Sequence, residues 1–570
     1  MLSWPRFSSA FDFAQAARTA TLTRVDTVIL LASLGAVLGI RLQLLLGTDF
    51  PINDGALFLA FVEAIAREFP HLPATVAYNG DTIPFAYPPL SFWLGAAGVR
   101  LGLPALDIVH AAPILMNMVY VLLFAVLLLR TGHSHLFAAV AVLVFGTTFR
   151  SYQWLVMGGG LSRGLGSLFL LLTLLALLPP GLWRDKGWAW RRLVVAGLCI
   201  GGTLLSHLEW GMLATFSALV GLALARPRFR DWFIGAAVMG AVAFALVAPW
   251  FVWVVLEHGM APFEAASKTS AWRLRVLPEG ARMVMRNAAN LLPFALLGIV
   301  LVLRSRDVFW LVFTLASALL IPRSGETPLV LGIGVLAATG LLGAITAAGR
   351  SRSRWARPAA LTLVIAGVLL TALRVQGALK RDERFVALPR DENFVALSRE
   401  VRGAMAWVAE HQPGRRFAVL REAPWYYNAS AEWFPVLARS VSTTTVQGRE
   451  WLPDLSFDRM YLAVEALNNS TTCEELDGSL AMLQPSDLVW VEGIDLDARA
   501  AALAAERERK GLLYRLDNLG RRLRGEQRPD PRQGKAGALR GSGTAAGCFD
   551  AWGWQEVHAN ARVRIFQPRR

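Results

Sequence analysis

Phe50-Pro51-Ile52-Asn53-Asp54-Gly55 follows an apolar run, Val25 to Leu46, that is long enough to cross a bilayer. Behind it an amphipathic pattern runs from about Ala56 to Glu68. An aspartate is thereby fixed at a membrane boundary, between a crossing helix and a surface helix. A carboxylate in that place either takes a proton from a hydroxyl or holds a divalent ion near a phosphate, and both tasks need a rigid mount. A local alternative is compatible with either: Asn53 or Asp54 caps the free N–H groups of the helix that follows.

The rest of the chain has the same character. Of its 570 residues 55% are hydrophobic, and a mean hydropathy of +0.43 exceeds what a soluble domain carries. Further apolar stretches at Phe233 to Leu256, Pro328 to Ala347 and Pro358 to Leu373 reach or approach a membrane crossing. The formal charge of +15 resides largely in short arginine clusters between apolar stretches, which read as topology signals rather than as a nucleic-acid surface. Three cysteines exclude a cysteine metal cluster, and Cys473 and Cys548, both in the polar C-terminal part, pair if that part lies in an oxidising compartment.

Threaded by the positive-inside rule, residues 1–26 form a cytoplasmic leader into an uncleaved first span. The first outer loop, 47–106, is acidic, with Arg67 the only Lys or Arg between Asp49 and Asp81. Basic turns at Arg184 to Arg192, Arg226 to Arg230, Arg304 to Arg306 and Arg350 to Arg357 then fall inside. Such a count gives about eleven spans, with spans near 107–129, 135–149, 164–178, 193–206 and 210–225, provided 88–103 is an interfacial helix. The fold class is therefore a polytopic α-helical membrane protein: a transmembrane domain over 27–376 and an extracytoplasmic domain over 377–570. The second domain reads as α/β, with strand-like runs Arg416 to Leu420 and Asp487 to Val491 among amphipathic stretches near 394–410 and 496–515. Residues 521–547, rich in Arg, Gly and Pro, read as a flexible loop without the interleaved aromatics of a nucleic-acid binder.

Several other residues sit where chemistry is possible. Tyr78-Asn79-Gly80-Asp81 is first a turn signal, with Asp81 a possible second carboxylate, and Tyr87 leads through Pro88 and Pro89 into the interfacial helix. The second outer loop runs from Arg150 to Arg163 through Gly158-Gly159-Gly160: glycines let backbone N–H groups approach an anion, and either arginine pairs with phosphate or merely snorkels. His207 and Glu209, between two spans, either contact substrate or shape a helix turn. Arg41, near the end of the first span, is an exception to otherwise charge-free spans, in a place from which it could snorkel. Basic residues Lys268, Arg273, Arg275, Arg282 and Arg286 in a further outer loop suit an anionic lipid, whether carrier or bulk. Trp425-Tyr426-Tyr427-Asn428 and the aromatics after it suit either sugar stacking or core packing.

An Asp just after the first span, an amphipathic outer helix, Tyr87-Pro88-Pro89-Leu90, many spans and an outer C-terminal domain together resemble the GT-C superfamily of membrane glycosyltransferases, which includes oligosaccharyltransferases, protein O-mannosyltransferases and aminoarabinose transferases. The resemblance is closest over about 27–210. It implies an inverting transfer of a sugar from a polyprenyl-phosphate or polyprenyl-diphosphate donor to an extracytoplasmic glycan, lipid or protein acceptor in the plasma membrane. Asp54 takes the place of the first-loop Asp near the reacting centre, and Asn53, Tyr87, Arg150, Arg163, His207 and Glu209 are candidate substrate contacts. No cofactor is demanded by the residues; a divalent ion such as magnesium or manganese would bind at Asp54. Where members often carry an acidic residue in the next outer loop, 150–163 has none, which puts the metal in doubt and leaves Asp81 as substitute. Two other classes remain open: a transporter or flippase of a lipid-linked or anionic solute, and a non-catalytic cell-envelope assembly protein.

Overall fold

The computed structural model describes residues 24–179, 186–225, 228–269, 291–321, 323–350, 394–421, 423–452, 454, 456–501, 504 and 544–569. The chain divides into two compact units, Met1–Val76 with Pro84–Ala396, and Ala77–Ile83 with Leu397–Arg570. The leader, the basic loop at 273–286, the apolar stretch at 358–373 with the arginines before it, and residues 521–543 lie outside the described residues.

The first unit is helical because its segments are apolar around most of their circumference. Helices α1 (Arg24–Gly47), α4 (Ala105–Arg130), α6 (Gly160–Leu177), α9 (Phe229–His258) and α13 (Glu326–Arg350) include the five described helices long and apolar enough to cross a membrane. Shorter apolar helices α5 (His135–Thr147), α8 (Leu208–Leu224), α11 (Leu292–Ser305) and α12 (Phe309–Leu320) pack among them. Helix α7 (Lys186–Leu204) and a short α10 (Ala261–Thr269) complete the set. Phe233, Phe244 and Leu256 on α9 and Val25 and Leu31 on α1 are exposed large apolar side chains, the surface of a chain whose solvent is lipid. Inside, Val37, Phe124, Phe145, Leu170, Trp210, Phe313 and Leu331 share one core. Small residues let backbones touch: a Cβ on Gly298 of α11 would lie 1.9 Å from the Leu336 carbonyl of α13, and one on Gly340 as close to the Phe294 carbonyl. Close crossings of this kind drive helix association where lipid removes the hydrophobic incentive.

Between α1 and α4 lie the amphipathic α2 (Ala56–Glu68) and α3 (Leu90–Arg100). Eleven residues in α3 give about 16 Å of helix, about half the thickness of a hydrocarbon core. A knot of edge-to-face rings, Phe58, Phe61, Tyr87 and Phe92, holds α2 against α3. Tyr87 therefore belongs to a packed aromatic cluster.

The second unit carries a five-stranded sheet in the order β4-β3-β5-β7-β6. Strands β3 (Arg416–Arg421), β4 (Val441–Ser442) and β5 (Leu488–Glu492) are parallel, whereas β7 (Val563–Gln567) runs antiparallel to β5 and β6 (Gln555–Ala559) antiparallel to β7. Ala418, Leu420, Val489 and Val491 share a core with residues of α16 (Ser456–Asn469) and α17 (Cys473–Ala481). Toward the opposite face, Phe434 of α15 (Ala429–Leu437) meets Phe417 and Trp490. Four helix starts carry a side-chain cap: Ser398 for α14 (Arg399–His411), Asn428 for α15, Thr472 for α17 and Thr544 for α18 (Ala545–Ala551). Cys473 and Cys548 are disulfide-bonded, with 5.5 Å between Cα atoms, and tie α17 to α18. Residues 545–547, read from composition as loop, are thus the first turn of α18. The expected amphipathic stretch near 496–515 is helical at 496–501, and most of its remainder is outside the described residues.

The turn Asn79-Gly80 has positive φ at both positions, 53° and 79°, and closes a hairpin of β1 (Thr75–Tyr78) and β2 (Asp81–Pro84). Within the second unit the hairpin tip is fastened to the edge strand: the Ser442 N–H donates to Asn79 Oδ1 at 2.7 Å, Asn79 Nδ2 donates to the Ser442 carbonyl at 2.9 Å, and Tyr78 Oη donates to the Glu432 carbonyl at 2.6 Å.

Candidate active site

Asp54 does not cap the helix it precedes. Position Gly55, with φ 125°, stands before α2 without any side-chain cap, and the aspartate turns instead to α6. Its Oδ1 accepts the Gly159 N–H at 2.7 Å, and Gly159 is the N-cap of α6. The carboxylate thus meets the positive end of a helix that carries unsatisfied N–H groups. Two glycines make the approach possible. A Cβ on Gly158 would fall 2.0 Å from the Asp54 carbonyl, and one on Gly159 would fall 2.3 Å from Asp54 Oδ2. The Gly158 N–H donates to the Ile52 carbonyl at 3.1 Å, the Asn53 N–H to the Val395 carbonyl at 3.0 Å, and Ile52 bridges to Ala396. Asn53, 1% exposed with φ 56°, points its amide at Met157. The Gly159 N–H is therefore taken by the protein's own carboxylate, while the Gly158 and Gly160 N–H groups donate to the carbonyls of Ile52 and Met157.

Burial pushes the Asp54 carboxyl up, against the Gly159 hydrogen bond and the Arg163 guanidinium, which hold it down. Arg163 stands one turn into α6, over the Trp154 ring at 5.5 Å to the centroid. His207 belongs to the same wall. A Cβ on Gly166 of α6 would meet His207 Cβ at 3.3 Å, and Arg163 and Gly166, three apart, share a helix face. His207 is the N-cap of α8, its Nδ1 accepting the Trp210 N–H. Burial, then Arg163 and Arg323, press its pKa well below the ordinary imidazole value. A neutral ring whose Nδ1 accepts carries its proton on Nε2, which is a donor.

The other candidates are engaged. Arg150 is not a snorkelling helix end: Nη1 donates to Gln153 Oε1 at 2.7 Å and to Glu326 Oε2 at 3.3 Å, with both partners of the ion pair little exposed. Trp154 Nε1 donates to the same Glu326 oxygen at 3.1 Å. Glu209 accepts from the Ser324 hydroxyl. The start of α13 thus grips 150–154 through Glu326, and the loop before it grips Glu209 through Ser324; neither Arg323 nor Glu326 was singled out from the sequence. A short, conformationally irregular Arg-Ser-Gly-Glu preceding an apolar helix was the available signal. Arg41 is likewise no snorkeller; it is fully buried on Asn117, Gly146, Ser151 and the Tyr152 ring. Asp81 lies in the second unit, where it is half-buried and pairs with Arg449 at 2.8 Å; burial raises its carboxyl and Arg449 opposes this.

Around Asp54 the charged set is one carboxylate, a guanidinium and an imidazole kept neutral. Among the described residues no three His, Cys, Asp or Glu side chains converge as a divalent-metal site, and a guanidinium beside the carboxylate competes with a cation. Among the described residues the donor set at Asp54 does not fit a divalent ion.

No protein-family model matches the chain, and no curated protein does. Solved structures do. An archaeal oligosaccharyltransferase, AglB of Archaeoglobus fulgidus in complex with an inhibitory peptide and a dolichol-phosphate, superposes with a TM-score of 0.50 at 12% identity, over 81% of this chain and 69% of that one. ArnT of Cupriavidus metallidurans bound to undecaprenyl phosphate gives 0.46 at 13% identity, over 95% and 98%. The mycobacterial arabinofuranosyltransferase AftD gives 0.45 at 18% identity, over 83% and 37%. The fold resembles that of the GT-C membrane glycosyltransferases, as the sequence suggested.

Proposed function

We propose that this protein is a membrane glycosyltransferase that moves a sugar from a polyprenyl-phosphate-linked donor to an acceptor outside the cytoplasm, with inversion. The observation that carries the reading is the placement of Asp54 at the N-terminus of α6, on the Gly159 N–H and near Arg163. The acceptor hydroxyl oxygen attacks the anomeric carbon from the face opposite the lipid phosphate. As that bond forms, the bond from the anomeric carbon to the phosphate oxygen breaks, and its electron pair leaves on the phosphate. The hydroxyl proton passes to Asp54, whose raised pKa matches a base that must take a proton in a low-dielectric site. Arg163 offsets the charge growing on the departing phosphate, and His207 donates Nε2–H to it. Charge stabilised at a bilayer edge is worth more than in water. In this reading about eleven crossings leave the N-terminus in the cytoplasm and the C-terminal unit outside, where Cys473 and Cys548 oxidise.

Asp54→Ala should abolish transfer from a polyprenyl-linked sugar in proteoliposomes while the protein still inserts. Wild-type transfer by the variant would overturn the assignment, and transport of the lipid-linked sugar without a covalent product would replace it with a flippase.

A further inference from the structure

We infer that Arg41 is a positioning residue that sets the second outer loop, and through it the Gly158-Gly159 mount of Asp54. Its role rests on the reading above only for the activity it affects.

A guanidinium with no exposure inside an apolar bundle is expensive and is tolerated where it does something. Arg41 Nε donates to Asn117 Oδ1 of α4 at 3.0 Å, Nη1 to the Gly146 carbonyl and Nη2 to Ser151 Oγ at 3.4 Å. The guanidinium carbon stands 4.1 Å from the centre of the Tyr152 ring. Among the described residues no carboxylate pairs with it, so its charge is met by a hydroxyl, an amide, an aromatic face and a carbonyl in the last turn of α5, where the helix dipole favours a cation. One planar fork thus joins α1 to α4, to the end of α5 and to the turn after it.

That turn leads directly to the site. The Tyr152 carbonyl accepts from Leu155 N–H at 2.9 Å and Val156 N–H at 3.0 Å, building the single helical turn Gln153–Val156. Met157 follows, and then Gly158 and Gly159 grip Ile52 and Asp54. On the other side α1 itself runs from Arg41 to Gly47 and into the segment bearing Asp54. Both chain segments that meet at Asp54 therefore leave from the same guanidinium. The charge acting on Asp54 is that of Arg163, not Arg41, so the influence of Arg41 is one of placement. Lysine keeps the charge but cannot reproduce a planar fork serving several acceptors.

The test compares Arg41→Lys and Arg41→Met with the unaltered full-length protein in nanodiscs. Hydrogen exchange read by mass spectrometry should show amide exchange in the 149–160 peptide about tenfold faster, with α8 and α9 unchanged. With a synthetic polyprenyl-phosphate hexose as donor, kcat should fall about 10- to 100-fold and the donor KM stay within about twofold. Unchanged exchange at 149–160 overturns the inference. So does a change spread evenly over the bundle, which is what a merely structural role produces. If the Arg41 variants do not fold, Tyr152→Leu, which removes the ring under the guanidinium, decides by the same exchange criterion. An unaltered protein that transfers no sugar would refute the proposed function and leave the exchange result to judge Arg41 alone.

Discussion

Gly159→Ala isolates the contact on which the site depends. Gly159 has φ −69° and ψ −2°, a backbone that alanine adopts freely, so the substitution adds no backbone strain. Its Cβ would stand 2.3 Å from Asp54 Oδ2 and 2.8 Å from Cγ, against the 3.4 Å at which ordinary contact begins. The carboxylate must retreat by about 1 Å and its hydrogen bond to the Gly159 N–H is broken or stretched. A misplacement of that size is worth about 100-fold in rate, and a strained, partly unpaired carboxylate costs about 1–3 kcal/mol of stability. Gly240→Ala in α9 is the control, since a Cβ there meets nothing within 4 Å. The assay is single-turnover transfer of radiolabelled sugar from polyprenyl phosphate, alongside thermal stability in the same nanodiscs. Gly159→Ala protein that is folded and as fast as the Gly240→Ala control would refute the claim that Asp54 works from this mount.

Asp54→Asn preserves shape and can still accept the Gly159 N–H. Because burial raises the folded carboxyl above its unfolded value, the ionised group costs stability at pH above that raised value and the cost disappears as pH falls through it. The variant should therefore lose transfer yet melt roughly a degree or two higher at pH 7; a lower melting temperature would contradict the burial argument. For the unaltered protein the acid limb of kcat against pH should lie above the ordinary carboxylate range near about 4, and an acid limb at or below that range would show that Asp54 is not the titrating base. Removing one member of the Arg150–Glu326 pair, whose side chains are 12% and 13% exposed, should cost about 1–3 kcal/mol, with a double-mutant cycle showing coupling of about 1 kcal/mol or more and additivity denying the contact. Cys473→Ser with Cys548→Ser removes a bridge spanning 75 positions, and loss of about 2–5 kcal/mol from the second unit is expected. Free thiols at both positions in intact cells would contradict an oxidising location.

How far the molecule was legible in its sequence depended on the range of the physics involved. The apolar α1, the short α3 and the Asn79-Gly80 hairpin are local: they follow from apolar length and from turn residues that accept positive φ. The side-chain caps Ser398, Thr472 and Thr544 were not singled out, and Thr544 fell within the stretch read from composition as loop. Asp54 stood out from its place in the turn between the first apolar helix and the amphipathic helix that follows. What it would bind did not follow. The reading of Asp54 as a cap of the following helix failed because Gly55, with φ 125°, takes the N-cap position, and the carboxylate's partner, Gly159, lies 105 positions away. Arg150 and Arg41 carried the same ambiguity: an arginine near a span end reads alike whether it snorkels or is clamped, since its partners, Glu326 and Asn117, come from other helices.

The sequence by itself determined that this chain is built for lipid, with apolar helices punctuated by arginine and a polar α/β portion behind them, because hydrophobic length, charge placement and capping are properties of consecutive residues. Which carboxylate sits on which helix end, which arginine is buried and which histidine stays neutral were decided by tertiary structure alone. These depend on desolvation and on contacts between segments distant in the chain, and only packing brings the Asp54 carboxylate to 2.7 Å from the Gly159 N–H, 105 positions away.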